Sequence, residues 1–186
     1  MAISEKRLTL EEFLKLPEEK PALEFEDGVV AQKVSPKGQH GRLQFKFAQL
    51  IERLAEPDRR AMVFTELRST YGGSSLVPDI SVYRWDRLPR GPGGRVGDDF
   101  VTPPDIAIEI ASPGQRQSAL VRRCRWYVEH GVPIALLVEP RDDTVSRFRP
   151  GLREQMLRGS DRIDLDEVLP GFQLTVQELF DSLSLD

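Results

Sequence analysis

Two apolar segments separated by a helix constrain the fold of this chain most strongly. Residues 105–111 (DIAIEIA) and 133–138 (PIALLV) are rich in β-branched and aliphatic side chains, a composition typical of strands buried on both faces. Residues 115–130 between them carry apolar side chains at helical spacing, and Gly131 ends this helix. A strand, a helix and a second strand in this order predict a βαβ unit with parallel strands.

Turn signals, capping boxes and apolar periodicity predict the remaining elements. In chain order these are a helix at 10–16, a hairpin within 22–34, a helix at 38–55, strands at 61–68 and 77–83, a long loop at 84–103, a hairpin at 144–157 and a helix at 176–183. The length suits one domain, at about 100–200 residues per domain. Residues 1–186 are therefore expected to form a single α/β domain, in which helices flank a mixed β-sheet with antiparallel hairpin extensions.

Composition excludes several classes of protein. The single cysteine, Cys124, rules out an internal disulfide and a zinc site made of several cysteines. No apolar run approaches the roughly 18 residues of a membrane-spanning helix, and the N-terminal residues lack the apolar core of a signal peptide. We therefore expect a cytoplasmic protein without a membrane span. The net charge of −4 argues against a constitutive nucleic-acid coat but permits an enzyme with a local basic patch.

Two carboxylates stand where an ordinary strand would not place them. Glu109 lies within the apolar run IAIEIA, and Asp79 begins the strand of VPDISVY. A buried carboxylate is costly unless it is paired, protonated or bound to a cation. Acidic residues that converge from neighbouring strands would offer the oxygen ligands that Mg²⁺ and Mn²⁺ prefer. The pattern alone leaves open that Glu109 faces solvent at a sheet edge and that Asp79 is a turn residue.

Three other polar residues have plain interpretations when each is taken alone. His40 stands at a helix start, where a histidine is more often a surface or capping residue than a ligand. Glu24 alternates with apolar neighbours in LEFEDG, a pattern typical of an exposed position on a hairpin. Arg123 belongs to a basic run on a helix, which is usually a solvated face.

An ordered set of motifs nevertheless extends over nearly the whole chain, from about Thr9 to Phe180. It comprises LTLEEFLKLPE, LEFEDGVV, SPKGQHG, VPDISVY, PPDIAIEIASPGQ, WYVEHGVPIALLVEP and PGFQLTVQELF. This set resembles the Uma family, a bacterial group of endonucleases in the restriction-endonuclease-like PD-(D/E)XK superfamily. The resemblance implies a mixed sheet flanked by helices, with the acidic site residues on two adjacent core strands. It also implies hydrolysis of phosphodiester bonds in DNA, dependent on Mg²⁺ or Mn²⁺.

The family's site residues are carried over one by one. The PD element falls on Pro78-Asp79, and the second acidic position falls on Glu109, so the resemblance implies a metal held by Asp79 and Glu109. The glutamate before the hairpin turn falls on Glu24. The histidine at the helix start falls on His40. These two residues would complete the site as a second ligand, a contact to water or an orienting group.

The chain departs from the family pattern at its lysine. The superfamily's usual lysine position, two residues after the glutamate, is Ala111, and no lysine follows residue 46. The lysine that the Uma family commonly carries on the following helix is replaced by Arg123. A guanidinium is a good phosphate partner but a poor general base, because it does not deprotonate. Gln115 would serve as an auxiliary that orients water.

Two functions remain open from the sequence. The first is a Mg²⁺-dependent DNA endonuclease, which as a homodimer would cut two strands with two sites. The second is a catalytically weak or inactive protein on a nuclease fold that acts as a DNA-binding or assembly module. If the site is built as the resemblance implies, Arg123 is expected to pair with Glu109 or Asp79, or to point into the same cleft.

Overall fold

The computed structural model describes residues 8–185 of the chain. The helices of this part are α1 (Leu10–Phe13), α2 (Gly38–Ala55), α3 (Gln117–Glu129) and α4 (Val176–Asp181). The strands are β1 (Leu23–Glu26), β2 (Val29–Gln32), β3 (Ala61–Thr65), β4 (Ser69–Tyr71), β5 (Ser74–Leu76), β6 (Ile80–Arg84), β7 (Ile106–Ile110), β8 (Ile134–Glu139), β9 (Thr144–Phe148) and β10 (Gln155–Arg158). Within residues 8–185, no helix combines the length and apolar character needed to cross a membrane.

The main sheet has six strands in the order β10-β9-β8-β7-β6-β3. Strands β7 and β8 pair in parallel across α3, which confirms the predicted βαβ unit. The other neighbouring strands pair in antiparallel, so the sheet is mixed as expected. Capping boxes open α1 at Thr9 and α4 at Thr175, again as predicted.

A second sheet of four strands, in the order β2-β1-β5-β4, differs from the single sheet expected. Strands β4 and β5 have only three residues each, too few for a periodic pattern to show in the sequence. Gly72 and Gly73 join them with φ of 57° and 79°, a left-handed conformation that glycine adopts without steric cost. The segment 61–68 was predicted as one strand, but β3 ends at Thr65, and the next residue, Glu66, has a φ of 53°.

The main sheet is covered on both faces, and its alternation decides which side chains meet which helix. The isoleucines of β7 pack with Leu43, Phe47 and Ile51 of α2. Ala107 packs with Leu120 and Cys124 of α3 on the opposite face. Glu109 has the same parity in the strand as Ala107, so β7 presents it to the α3 face. The fold thus places one carboxylate on an otherwise apolar surface.

Candidate active site

A cavity of about 560 Å³ lies between the β1–β2 hairpin, the strands β6 and β7, and α3. All six residues that the sequence singled out line it, namely Glu24, His40, Asp79, Glu109, Gln115 and Arg123. They come from both sheets and from two helices or their entries, so only the folded chain brings them together.

Asp79 lies at the entry of β6 and is 2% exposed. Its Oδ2 accepts a hydrogen bond of 2.7 Å from the backbone N–H of Ile110, which ties it to β7. Its Oδ1 accepts a hydrogen bond of 2.7 Å from Lys33 Nζ. Burial acts to raise the pKa of Asp79, but the adjacent His40 and Lys33 outweigh burial and hold that pKa below its ordinary value. The carboxylate is therefore ionised at neutral pH.

Glu109 is buried in β7, next to the strand that Asp79 opens. Its Oε1 accepts a short hydrogen bond of 2.5 Å from the hydroxyl of Tyr127 on α3. Burial raises the pKa of Glu109 from 4.5 to about 7, and the negative charge of Asp79 adds to the effect. The two acids thus differ in proton affinity, because Asp79 has a cationic partner in contact and Glu109 has a neutral one.

Glu24 is 3% exposed, whereas its alternation in the sequence favoured an exposed position. The difference arises because the face of β1 that carries Glu24 is turned toward the cavity, where the segment before β6 and a side chain of α3 meet it. Glu24 Oε1 accepts a hydrogen bond of 2.9 Å from the backbone N–H of Val77. Its Oε2 pairs with Arg123 Nη1 at 2.6 Å. Glu24 therefore links the second sheet to α3 across the cavity.

His40 occupies the first turn of α2 and is 6% exposed, so it is not a surface residue. Its Nδ1 lies 2.9 Å from the hydroxyl of Ser112. Its Nε2 lies 3.5 Å from Asp79 Oδ1 and has no hydrogen-bond partner among the described residues. Gln115 Oε1 accepts a hydrogen bond from the backbone N–H of Ser112. This hydrogen bond fixes the turn before α3. The turn holds Ser112, whose hydroxyl is the partner of His40 Nδ1.

Arg123 lies in the cleft, as one of the two expectations held, but its ion-pair partner is Glu24. The other expectation, a pair with Glu109 or Asp79, is not the arrangement found. Glu24 was not expected as the partner of Arg123, because the sequence pattern placed Glu24 on an exposed face of the hairpin. Tyr127, one turn further along α3, contacts Glu109 instead.

The sequence analysis missed Lys33, which supplies the cleft with a lysine. Lys33 directly follows β2, and its side chain is only 9% exposed. Its Nζ donates to the Val77 carbonyl and to Asp79 Oδ1, each at 2.7 Å, and lies 3.4 Å from Glu66 Oε2. Burial acts to lower the pKa of Lys33, yet the surrounding carboxylates raise that pKa above its ordinary value. The ammonium therefore stays charged at neutral pH.

No local signal in the sequence distinguishes Lys33. The family's usual lysine positions follow Glu109, and this chain has no lysine after residue 46. The structure shows that a lysine reaches Asp79 from the opposite direction along the chain, because the second sheet packs the end of β2 against the start of β6. Only the arrangement of the two sheets reveals this contact.

The residues of the cleft suit a divalent cation. Ligand atoms of His40, Glu66 and Asp79 lie within 4.8 Å of one another. The carboxylates supply hard oxygen donors, and the buried His40 Nε2 is a nitrogen without a partner in this part of the chain. Glu109 lines the cavity together with His40 and Asp79 and adds a further carboxylate, whereas Glu66 lies beside Asp79 and is exposed.

Comparison with known proteins identifies a family and a similar solved structure. A model of the Uma2 family, described as "Putative restriction endonuclease", matches residues 10–177. A crystal structure described as "a putative nuclease belonging to DUF820 from Anabaena variabilis ATCC 29413" is 35% identical in sequence. The alignment covers 95% of this chain and 99% of that chain, with a TM-score of 0.92. No curated protein matches the chain. Since the family match spans most of the sequence and the fold is that of the Anabaena protein, the chain belongs to the Uma2 family.

Proposed function

We propose that the protein is a divalent-metal-dependent endonuclease that hydrolyses phosphodiester bonds in DNA within this cleft. One observation carries the proposal: two buried acids from adjacent strands, Asp79 and Glu109, line one cavity with the buried ammonium of Lys33. Burying several charged groups together carries a desolvation cost, which a role in stability alone does not explain. The family description and the nuclease-like neighbour support the same reaction class.

Asp79 and Glu109 would hold Mg²⁺ or Mn²⁺, with His40 and Glu24 completing the site. When bound, such a cation lowers the pKa of a coordinated water and offsets negative charge on the phosphate. Asp79 is already ionised, so it is prepared to act as a ligand. The raised pKa of Glu109 reflects a desolvated carboxyl beside a like charge. A neighbouring cation would favour its ionised form.

Lys33 and Arg123 provide the positive charge of the cleft. Both side chains stay protonated at neutral pH, so neither serves there as a general base. We assign them to the phosphate, where a guanidinium and an ammonium both bind well. Arg116 and Arg122 line the same cavity, so the net charge of −4 is compatible with a DNA substrate at this cleft.

The second candidate is an inactive DNA-binding or assembly module. The argument for it was the absence of a lysine at the family's usual positions. Lys33 weakens that argument, because it supplies an ammonium in contact with Asp79. We further propose that the enzyme acts in the cytoplasm and that a homodimer would bring two sites to the two strands. Light scattering after size exclusion would measure the mass in solution, and a monomer at working concentration would exclude the dimer.

Nicking of supercoiled plasmid DNA tests the function. With Mg²⁺ or Mn²⁺ present, we expect the protein to convert supercoiled DNA into nicked and linear forms. With EDTA the conversion should stop. If none of these metals supports conversion while the protein still shifts DNA in a gel, the inactive binding module becomes the correct account.

Substitution of Arg123 tests its assignment to the phosphate. We expect Arg123→Lys to keep at least the wild-type rate of nicking, because the charge and the link to Glu24 can be retained. Arg123→Ala should lower the rate more than tenfold, since it removes that charge. Arg125→Ala is the matched control, because Arg125 is on the same helix and is more exposed. Equal rates for all four proteins would place Arg123 outside the mechanism.

A further inference from the structure

His40, Glu66 and Asp79 form a cluster of possible metal ligands. Glu66 is the one member of this cluster that the family resemblance did not point to. It follows β3 with a φ of 53°, in the left-handed region that is uncommon for residues other than glycine. Its backbone N–H donates to the Asp79 carbonyl at 3.2 Å. Gln44 on α2 bridges the same two residues, donating to Glu66 Oε1 at 2.9 Å and to the Asp79 carbonyl at 2.8 Å. Glu66 is thus held beside Asp79 by backbone and side-chain contacts.

His40 provides an independent sign of a ligand at this cluster. Its ring is more than nine-tenths buried, and its Nε2 has no hydrogen-bond partner within residues 8–185 although it lies 3.5 Å from Asp79 Oδ1. If Nδ1 donates to the hydroxyl of Ser112, Nε2 carries the lone pair. A histidine that binds a metal commonly has its second ring nitrogen fixed in this way by an oxygen.

Lys33 is the cation that the cluster holds in the structure. Its ammonium lies 2.7 Å from Asp79 Oδ1 and 3.4 Å from Glu66 Oε2, so it uses carboxylates that a divalent ion would need. An ammonium and a divalent metal cannot share these oxygens closely, because their charges repel. The same position in the cleft therefore has two alternative cations.

We propose that His40, Asp79 and Glu66 form a divalent-cation subsite that the ammonium of Lys33 occupies in the metal-free protein, so that metal binds by displacing Lys33. The inference rests on the proposed function only in taking Asp79 as a cation-binding carboxylate. It adds Glu66 to the ligands and makes Lys33 a competitor that sets metal affinity. Once displaced, Lys33 is released from Asp79 and becomes available to a phosphate in the same cavity.

Calorimetric titration with Mn²⁺ in the absence of DNA tests the subsite. We expect Lys33→Met to bind Mn²⁺ at least tenfold more tightly than the wild type, because the competing charge is gone. In that background, Glu66→Gln should weaken binding at least tenfold, and Glu52→Gln, an exposed glutamate of α2, should leave it unchanged. Equal or weaker binding by Lys33→Met would overturn the competition. An absence of effect from Glu66→Gln would overturn the subsite.

The chain has two histidines, which gives the nitrogen ligand a matched control. Imidazole favours Co²⁺ over Mg²⁺, so Co²⁺ is the second probe and its visible absorption is the readout. We expect His40→Gln to remove the absorption band and lower Co²⁺ affinity at least tenfold. His130→Gln should keep both. If the band depends on His130 or on neither histidine, His40 is not a ligand.

A measurement on the wild-type protein covers the case in which Lys33→Met does not fold. Acetic anhydride modifies accessible amines, and mass spectrometry gives the rate at each lysine. On addition of Mn²⁺ we expect modification of Lys33 to accelerate at least fivefold, while the exposed Lys15 keeps its rate. Unchanged or slower modification of Lys33 would show that metal does not displace it. Because none of these three measurements uses DNA, a failure here is distinct from an absence of nuclease activity.

Discussion

Asp79→Asn should reduce metal-dependent nicking of supercoiled DNA by at least about a thousandfold, because one ligand charge is lost and its pairing with Lys33 weakens. The hydrogen bond from the Ile110 N–H can still be accepted by the amide oxygen, so the fold should persist. Glu109→Gln should have an effect of similar size. Nicking rates in Mg²⁺ and in Mn²⁺, with circular dichroism as the check on folding, give the measurement.

The control for both substitutions is Glu52→Gln, which removes a carboxylate from an exposed position on α2. It should cut DNA at the wild-type rate. If Asp79→Asn retained more than a tenth of the wild-type rate while folded, Asp79 would not be the main metal ligand of the reaction.

Glu109→Gln should also change how the stability of the metal-free protein depends on pH. The folded state raises the pKa of Glu109 from 4.5 to about 7, so the folded protein binds this proton more tightly than the unfolded chain does. The contribution of Glu109 to the free energy of unfolding is therefore constant below about pH 4.5. It falls between pH 4.5 and 7 and stays at its lower value above about pH 7. The loss amounts to about 3 kcal/mol, at about 1.4 kcal/mol per pKa unit.

Glutamine does not ionise, and its amide oxygen can still accept from Tyr127. In EDTA, we therefore expect Glu109→Gln to match the wild type in urea unfolding at pH 4.5 and to exceed it by about 3 kcal/mol at pH 8. Glu52→Gln should follow the wild type throughout. A Glu109→Gln protein that loses stability with pH as steeply as the wild type would show that Glu109 is not the group responsible.

The parts of the fold that depend on local sequence patterns could be predicted from the sequence. The two apolar strands around a helix predicted the parallel pair β7 and β8, and each capping box marked a helix start. Carboxylates at Asp79 and Glu109 were recognisable because a charge in an apolar strand needs a compensating partner. The resemblance also pointed to residues from six places in the chain, and all six line one cavity.

The parts that the sequence did not reveal depend on packing between the two sheets. Glu24 alternates as an exposed residue would, yet its face of β1 meets Val77 and the α3 residue Arg123, which bury it. Lys33 reaches Asp79 only because the end of β2 lies against the start of β6. Alternation within one strand reports which face a side chain occupies, but it does not report what covers that face. Arg123 was correctly expected in the cleft, but for the same reason its pairing with Glu24 was not foreseen.

Anomalous diffraction from crystals of the protein soaked in Mn²⁺ tests most directly whether the cleft is a metal site. We predict a Mn²⁺ peak within coordination distance, about 2.0–2.6 Å, of carboxylate oxygens of both Asp79 and Glu109. The Asp79→Asn protein should lose that peak under the same soak. A Mn²⁺ peak bound elsewhere on the protein, with the cleft empty and Lys33 still on Asp79, would contradict the assignment.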